Sequence, residues 1–164
     1  MQIGVEMLAG RSGHEAGQQL LGQMYRECTG KALPPVCRTP RGKPYIPGDP
    51  VHFSISHTKR RVFCVLSDTP VGIDAEEADR QIDLRLADKI LSPAEQLRYH
   101  RTADKRMTLL RFWVLQEALA KASGEGLRGY PNATDLDPED PRIILRDGCL
   151  VAVVRGKGEE NDVV

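Results

Sequence analysis

No apolar run in this 164-residue chain approaches the ~20 residues that a membrane span requires. The opening stretch, MQIGVEMLAGRSGHE, has no basic segment followed by an apolar one, so no secretory leader is read there. Neither sign of charge is in excess: Lys+Arg is 23, Asp+Glu is 23, and the pI is about 6.9. That balance argues against a generally basic nucleic-acid binder and against an acidic tail protein. Cysteine is scarce. Cys28, Cys37, Cys64 and Cys149 are irregularly spaced and contain no C-x-x-C pair, so zinc-ribbon and redox-pair readings fail. Four scattered thiols without a leader lead us to expect a protein of the reducing cytoplasm.

The composition is that of a globular protein, with 40% hydrophobic and 28% charged residues. The length suits one domain, or two small lobes sharing a core. Ile3, Val5 and Met7 alternate as in a short strand. Ser12 or His14 opens a helix to about Thr29, with Leu20, Leu21, Met24 and Cys28 on one face and Gly30 as C-cap. Residues 33–50 hold six prolines, a density that predicts a loop with neither helix nor central strand.

Val51, Phe53 and Ile55 alternate with His52, Ser54 and Ser56 in the next predicted strand, and Val62–Leu66 is a continuous apolar one. Lys59–Arg61 forms the tip between them. Val71, Ile73 and Ala75 mark a further strand that contains Gly72, a residue that in a strand often marks close approach of a ligand or another backbone. Helices are predicted over Leu84–Ile90 and Pro93–Tyr99, the latter capped by Ser92 with Glu95 three residues on. The longest helix runs from about Ala103 to Ser123, stopped by Gly124 and Gly126. Phe112, Leu115, Leu119 and Ala122 share one of its faces, while Trp113, Glu117 and Lys121 share another. A hairpin at Ile143–Leu145 and Leu150–Val154 follows, and residues 156–164 read as frayed.

Asp74 and Glu76 lie two apart on a strand and so point to the same side. Paired carboxylates of that kind suit Mg²⁺, which keeps several waters and bridges to phosphates. Two solvated acids at a strand end are the competing reading. Glu117 sits among apolar neighbours, where an unpaired carboxylate is costly; it either pairs with Lys121 on the helix surface or completes a three-carboxylate site. Ser54-Ile55-Ser56-His57-Thr58 ends a strand before a basic turn and offers hydroxyls and an imidazole to a phosphate. Taken singly, a satisfied structural histidine is the simpler reading. Lys43, beside Gly42, can contact phosphate or merely be solvated.

Taken in order, four segments resemble the 4′-phosphopantetheinyl transferase superfamily: Gly42-Lys43-Pro44, Phe53–Thr58, Val71-Gly72-Ile73-Asp74-Ala75-Glu76, and Phe112–Lys121 followed by Ala122–Leu127. The resemblance covers about residues 41–127. It implies an α+β fold of two similar, pseudo-dimeric lobes, with short antiparallel sheets each packed by a helix and a ligand cleft between them. The lobes would be 1–70 and 71–164, in a monomer. It also implies a reaction: the phosphopantetheine arm of coenzyme A passes to a serine of an acyl or peptidyl carrier protein, and 3′,5′-ADP leaves. By the resemblance, Asp74, Glu76 and Glu117 hold Mg²⁺, with Mn²⁺ as a substitute. Glu117 is the general base, with Asp74 as its catalytic neighbour, and Lys121 serves the leaving diphosphate. Lys43, Ser56 and His57 bind coenzyme A, with His57 near the 3′-phosphate.

The chain departs from the family pattern in places. Gln116 stands where a lysine is usual, so that another cation substitutes or turnover is reduced. Gln18 stands where longer members place an arginine, for which Arg11 or Arg26 would have to compensate. The N-terminal part is shorter than in the long members. These departures leave an alternative: a catalytically weak or inactive homologue that binds coenzyme A or a carrier protein. A Mg²⁺-dependent phosphohydrolase would use the same carboxylates.

Overall fold

A computed structural model of the chain describes residues 1–126 and 135–156. Leu127 and residues 157–164, to which two of the readings above extend, lie outside the described residues. The architecture is mixed α/β with short antiparallel sheets. One three-stranded sheet has the order β1 (Gln2–Met7), β5 (Arg61–Ser67), β4 (His52–His57). A second has the order β6 (Val71–Glu77), β8 (Cys149–Arg155), β7 (Ile143–Arg146). Helix α1 (Gly13–Thr29) packs on the first sheet and α4 (Lys105–Ser123) on the second. Between the sheets lies a third apolar cluster, so the layers run helix, sheet, sheet, helix.

This layering explains the sequence pattern. A strand covered on both sides reads as a continuous apolar run. In β5, Val62, Cys64 and Leu66 meet the α1 side, while Phe63 and Val65 meet the other sheet. Likewise in β8, Leu150, Ala152 and Val154 meet α4, while Cys149 and Val151 face the first sheet. In β6, Val71, Ile73 and Ala75 enter the inter-sheet core, which leaves Gly72, Asp74 and Glu76 on the α4 side. Burial pushes the Cys64 thiol up to about 12, in keeping with an inert core residue.

The helix ends follow the expected chemistry. Ser12 and Ser92 each close a capping box, with Glu15 and Glu95 respectively. Glu95 is fully buried and also accepts from Leu136 N at 2.9 Å. Gly30 and Gly124 end α1 and α4 in the left-handed conformation, with φ 73° at each. Two expectations need correction. The predicted Leu84–Ile90 helix is a 3₁₀ turn, Leu84–Leu86, followed by the single-turn α2 (Ala87–Ile90). The proline-rich loop contains a small hairpin, β2 (Cys37–Arg38) with β3 (Pro44–Tyr45). Its turn needs no apolar run: Gly42 takes φ 88°, and Thr39 N donates to Lys43 O at 2.9 Å.

The two sheets are latched along β4 and just beyond its C-terminal end. Ile73 N donates to Ser54 Oγ at 3.1 Å, and Ala75 N donates to Ser56 Oγ at 3.2 Å. These hydroxyls satisfy the free edge of β6, which would otherwise carry unpaired donors. Beyond the β4 end, Thr58 Oγ1 donates to Glu77 Oε1 at 2.7 Å, and Arg60 donates to Glu77 Oε2 at 3.1 and 2.6 Å. The Arg60 guanidinium is the main cause holding the Glu77 carboxyl down at about 2, against an ordinary 4.5. A depressed carboxylate stabilises the fold above its unfolded value, and that contribution fades as pH falls through the folded value. Glu77→Gln should therefore lose about 1–3 kcal/mol near neutrality. Thermal melts should show the wild type approaching the variant as pH drops from ~4.5 to ~2; a constant gap would contradict the latch.

Candidate active site

Strand β6 and helix α4 come closer than side chains normally allow. A Cβ at Gly72 would stand 2.0 Å from Ala118 O and 2.4 Å from Ala122 N. Both are backbone atoms, so nothing larger than glycine fits there without moving the helix. The carboxylates two and four residues on therefore face α4 at short range. The Trp113, Glu117 and Lys121 stripe of α4 is the face they meet. Lys121 Nζ reaches Asp74 Oδ1 at 2.7 Å and Ile73 O at 3.1 Å. The Trp113 indole lies close enough to the Glu76 carboxylate to favour its charged form.

Glu76 and Glu117 are both raised. Burial is the main cause that raises Glu117, with Asp74 next, while Lys121 opposes it. Burial also raises Glu76 first; Arg80 pulls it down and Asp74 pushes it up. Asp74 is only 6% exposed. Its Oδ1 accepts from Lys121 and from Ser56 Oγ at 2.9 Å, but its Oδ2 is buried with no hydrogen-bond partner. A buried carboxylate oxygen without a partner is unusual and costly. One buried and two half-buried carboxylates, with one orphaned oxygen, are the donor chemistry of a hard divalent cation. As placed here, the acids are compensated instead by protein cations. Among the described residues no three His, Cys, Asp or Glu side chains stand as a group that could hold a metal ion.

A cavity of about 500 Å³ opens beside this cluster. Glu117, Ala120 and Lys121 of α4 form one wall. Gly13, His14 and Gln18 of α1, the β2–β3 hairpin with Arg38, Arg41 and Lys43, and Ser54 and His57 of β4 form the others. Glu76 lines a second cavity of about 1000 Å³, and Gly13 and His57 line both. His57 is packed against the start of α1: a Cβ at Gly13 would meet its Cγ at 2.4 Å. Lys43 lies along Gly124, whose Cβ would be 2.8 Å from Lys43 Cδ, and it donates to Ala122 O at the C-terminal end of α4. That end carries partial negative charge. Burial lowers the Lys43 ammonium. Arg41 pairs with Glu125 at 3.1 Å, both well exposed.

The structure thus brings Asp74, Glu76, Glu117 and Lys121 together, with Lys43 and His57 on the adjoining cavity. Ser56 is different. It does not line the cavity, and its hydroxyl is used by Asp74 and Ala75 N. Ser54, two residues back, reaches the cavity instead. Neither Arg11 nor Arg26 lines the cavity that Gln18 lines, although Arg11 lines the second one. The Arg11 guanidinium is taken by Leu8 O, Met7 O, Glu6 and Gln19, and Arg26 is exposed in the last turn of α1, away from the cavity. The cavity's cations come from the hairpin. Arg38 had no sequence signal beyond its closeness to Arg41-Gly42-Lys43.

Gln116 also corrects an expectation. It is 1% exposed, and its Nε2 donates at 3.0 Å to Ile90 O, at the end of α2. One residue along a helix is a turn of about 100°, so position 116 faces the core while Glu117 faces the cavity. Gln116 closes an orphan helix-end carbonyl and is not a missing active-site cation. Gln116→Lys should place an ammonium in the core and cost about 2–4 kcal/mol, with no gain in turnover. A variant that melts like the wild type and turns over faster would show that residue 116 serves the cavity.

Comparison with known proteins gives the same family. The model of the 4′-phosphopantetheinyl transferase superfamily matches residues 70–155, which contain β6, α4 and both ends of the carboxylate cluster. The chain belongs to that superfamily. It is 33% identical over 106 residues to the 4′-phosphopantetheinyl transferase gsp of Aneurinibacillus migulanus, covering 63% of this chain and 44% of that protein. It is 35% identical over 89 residues to the 4′-phosphopantetheinyl transferase Sfp of Bacillus subtilis, covering 52% and 39%. The match to the 4′-phosphopantetheinyl transferase psf-1 of Bacillus pumilus is 34% over 109 residues, covering 64% and 46%. The matched region spans less than half the length of each of these relatives.

Proposed function

We propose that this chain transfers the 4′-phosphopantetheine arm of coenzyme A to a serine of an acyl or peptidyl carrier protein and releases 3′,5′-ADP. The observation that carries the reading is the convergence of Asp74, Glu76 and Glu117 beside Lys121, at the edge of a cavity whose far wall holds Arg38, Arg41, Lys43 and His57. Membership of the superfamily supports it. In this reading the chain has two lobes, 1–70 and 71–164, and the cavity between them is the coenzyme A cleft.

Asp74, Glu76 and Glu117 would hold Mg²⁺. Bound there, it would neutralise charge on the diphosphate oxygens and on the leaving group. The chain's own residues do the rest. Arg38, Arg41, Lys43 and His57 supply positive charge and donors for the phosphorylated nucleotide end. The carrier serine Oγ forms a bond to the phosphorus that bears pantetheine, and the bond from that phosphorus to the ADP oxygen breaks with its electron pair. Glu117 faces the cavity and takes the serine proton, directly or through one water. Lys121, one turn further along α4, stands by the departing oxygen and stabilises its charge. Burial of the cluster strengthens each of these electrostatic contacts.

The test incubates apo-carriers of several types with coenzyme A, Mg²⁺ and the chain, followed by intact mass. Addition of one phosphopantetheine is the expected outcome. Asp74→Ala and Glu117→Ala should each lower the rate by at least ~10³-fold while circular dichroism stays native. Near-wild-type turnover in either variant would refute the assignment of that residue. Coenzyme A binding without mass addition on any carrier would favour the binding homologue, and release of free phosphopantetheine without an acceptor would favour a phosphohydrolase.

A further inference from the structure

Glu76 is held by a cation from its own strand end. Arg80 lies four residues on, and its guanidinium pairs with Glu76 Oε1. The turn that carries Arg80 is firmly built. Arg80 N donates to Glu77 O at 2.9 Å. Arg106, in the first turn of α4, donates to Ala78 O at 2.8 Å and to Arg80 O at 3.2 Å. Arg60 holds Glu77 and lies 3.7 Å from Asp79. The backbone at 77–80 is thus fixed from two sides, and Arg80 is aimed back along β6. Its side chain is 41% exposed, whereas that of Glu76 is 19% exposed.

The arrangement has a charge logic. Asp74 raises the cost of ionising Glu76, and Asp74 and Glu76 raise that of Glu117. Lys121 answers Asp74, and Arg80 answers Glu76. We propose that Arg80 is a positioning residue: an internal counter-ion that holds Glu76 until a divalent cation displaces it, and so sets the cation affinity of the site. This rests on the reading of Asp74, Glu76 and Glu117 as the cation's donors. A guanidinium and a divalent ion cannot share one carboxylate oxygen without strong repulsion. A cation that takes Oε1 must displace Arg80, so the measured affinity is the intrinsic one reduced by the fraction of Glu76 that is free. A partly exposed ion pair contributes up to ~1 kcal/mol, which makes that reduction about fivefold.

The test titrates the full chain with Mn²⁺, without nucleotide, reading free Mn²⁺ by electron paramagnetic resonance. Arg80→Gln should bind Mn²⁺ about 2–5-fold more tightly than the wild type, and Arg80→Lys should fall between them. Raising the salt concentration should shrink the difference. In a Glu76→Gln background, Arg80→Gln should give no gain. Equal or weaker binding by Arg80→Gln would overturn the role of Arg80, as would a gain that persists with Glu76→Gln. Absence of Mn²⁺ binding in wild type and variants alike would instead overturn the cation-site reading on which the inference stands. Thermal melts of both Arg80 variants confirm that the compared proteins are folded.

Discussion

Everything at this site depends on how closely β6 approaches α4. Gly72 provides the approach, because the helix backbone occupies the space of a side chain at that position. The closeness puts Asp74, Glu76 and Glu117 within electrostatic reach of one another, which would be self-repelling without compensation. The fold supplies it locally, with Lys121 from α4 and Arg80 from the turn after β6. One oxygen of Asp74 is still left without a partner. Such strain in an otherwise well-satisfied interior is what a ligand-binding site stores.

The same strand joins the two three-stranded sheets. Its inward side contributes Val71, Ile73 and Ala75 to the core between the sheets. Its free edge is completed by Ser54 and Ser56 rather than by another strand. Ser56 links both functions, since its hydroxyl also donates to Asp74. The position of the carboxylate is thus fixed by β4 as well as by α4. On the other side of the cavity, Lys43 ties the β2–β3 hairpin to the end of α4. The wall that carries Arg38 and Arg41 is thereby held against the helix that carries Glu117.

Much of this was legible in the sequence, because strand and helix periods are simple. Alternation put Asp74 and Glu76 on one side of β6, and a four-residue step put Trp113, Glu117 and Lys121 on one stripe of α4. The double-sided burial of β5 was written in Val62–Leu66. What could not be read was partnership across the chain. Nothing local to Gln116 says that Ile90 O needs a donor, so a glutamine at that motif position reads as a lost charge. Nothing local to Ser56 says that its hydroxyl closes a strand edge. Arg11 carries a charge that looks available until four partners are found around it. The hairpin at Arg38 and Pro44 was hidden because proline density is a valid argument against long strands but not against two-residue ones.

The central claim is that three carboxylates from β6 and α4 serve one divalent cation beside a nucleotide cavity. The most direct measurement is a crystal structure of the chain with Mn²⁺ and coenzyme A, using the anomalous signal of the metal. The account predicts one anomalous peak within about 2.2 Å of oxygens from Asp74, Glu76 and Glu117, with the diphosphate on the peak's open side and the nucleotide along the Arg38–Lys43 wall. A peak bound elsewhere, or a nucleotide seated outside that cavity with the three acids still holding Lys121 and Arg80, would contradict it.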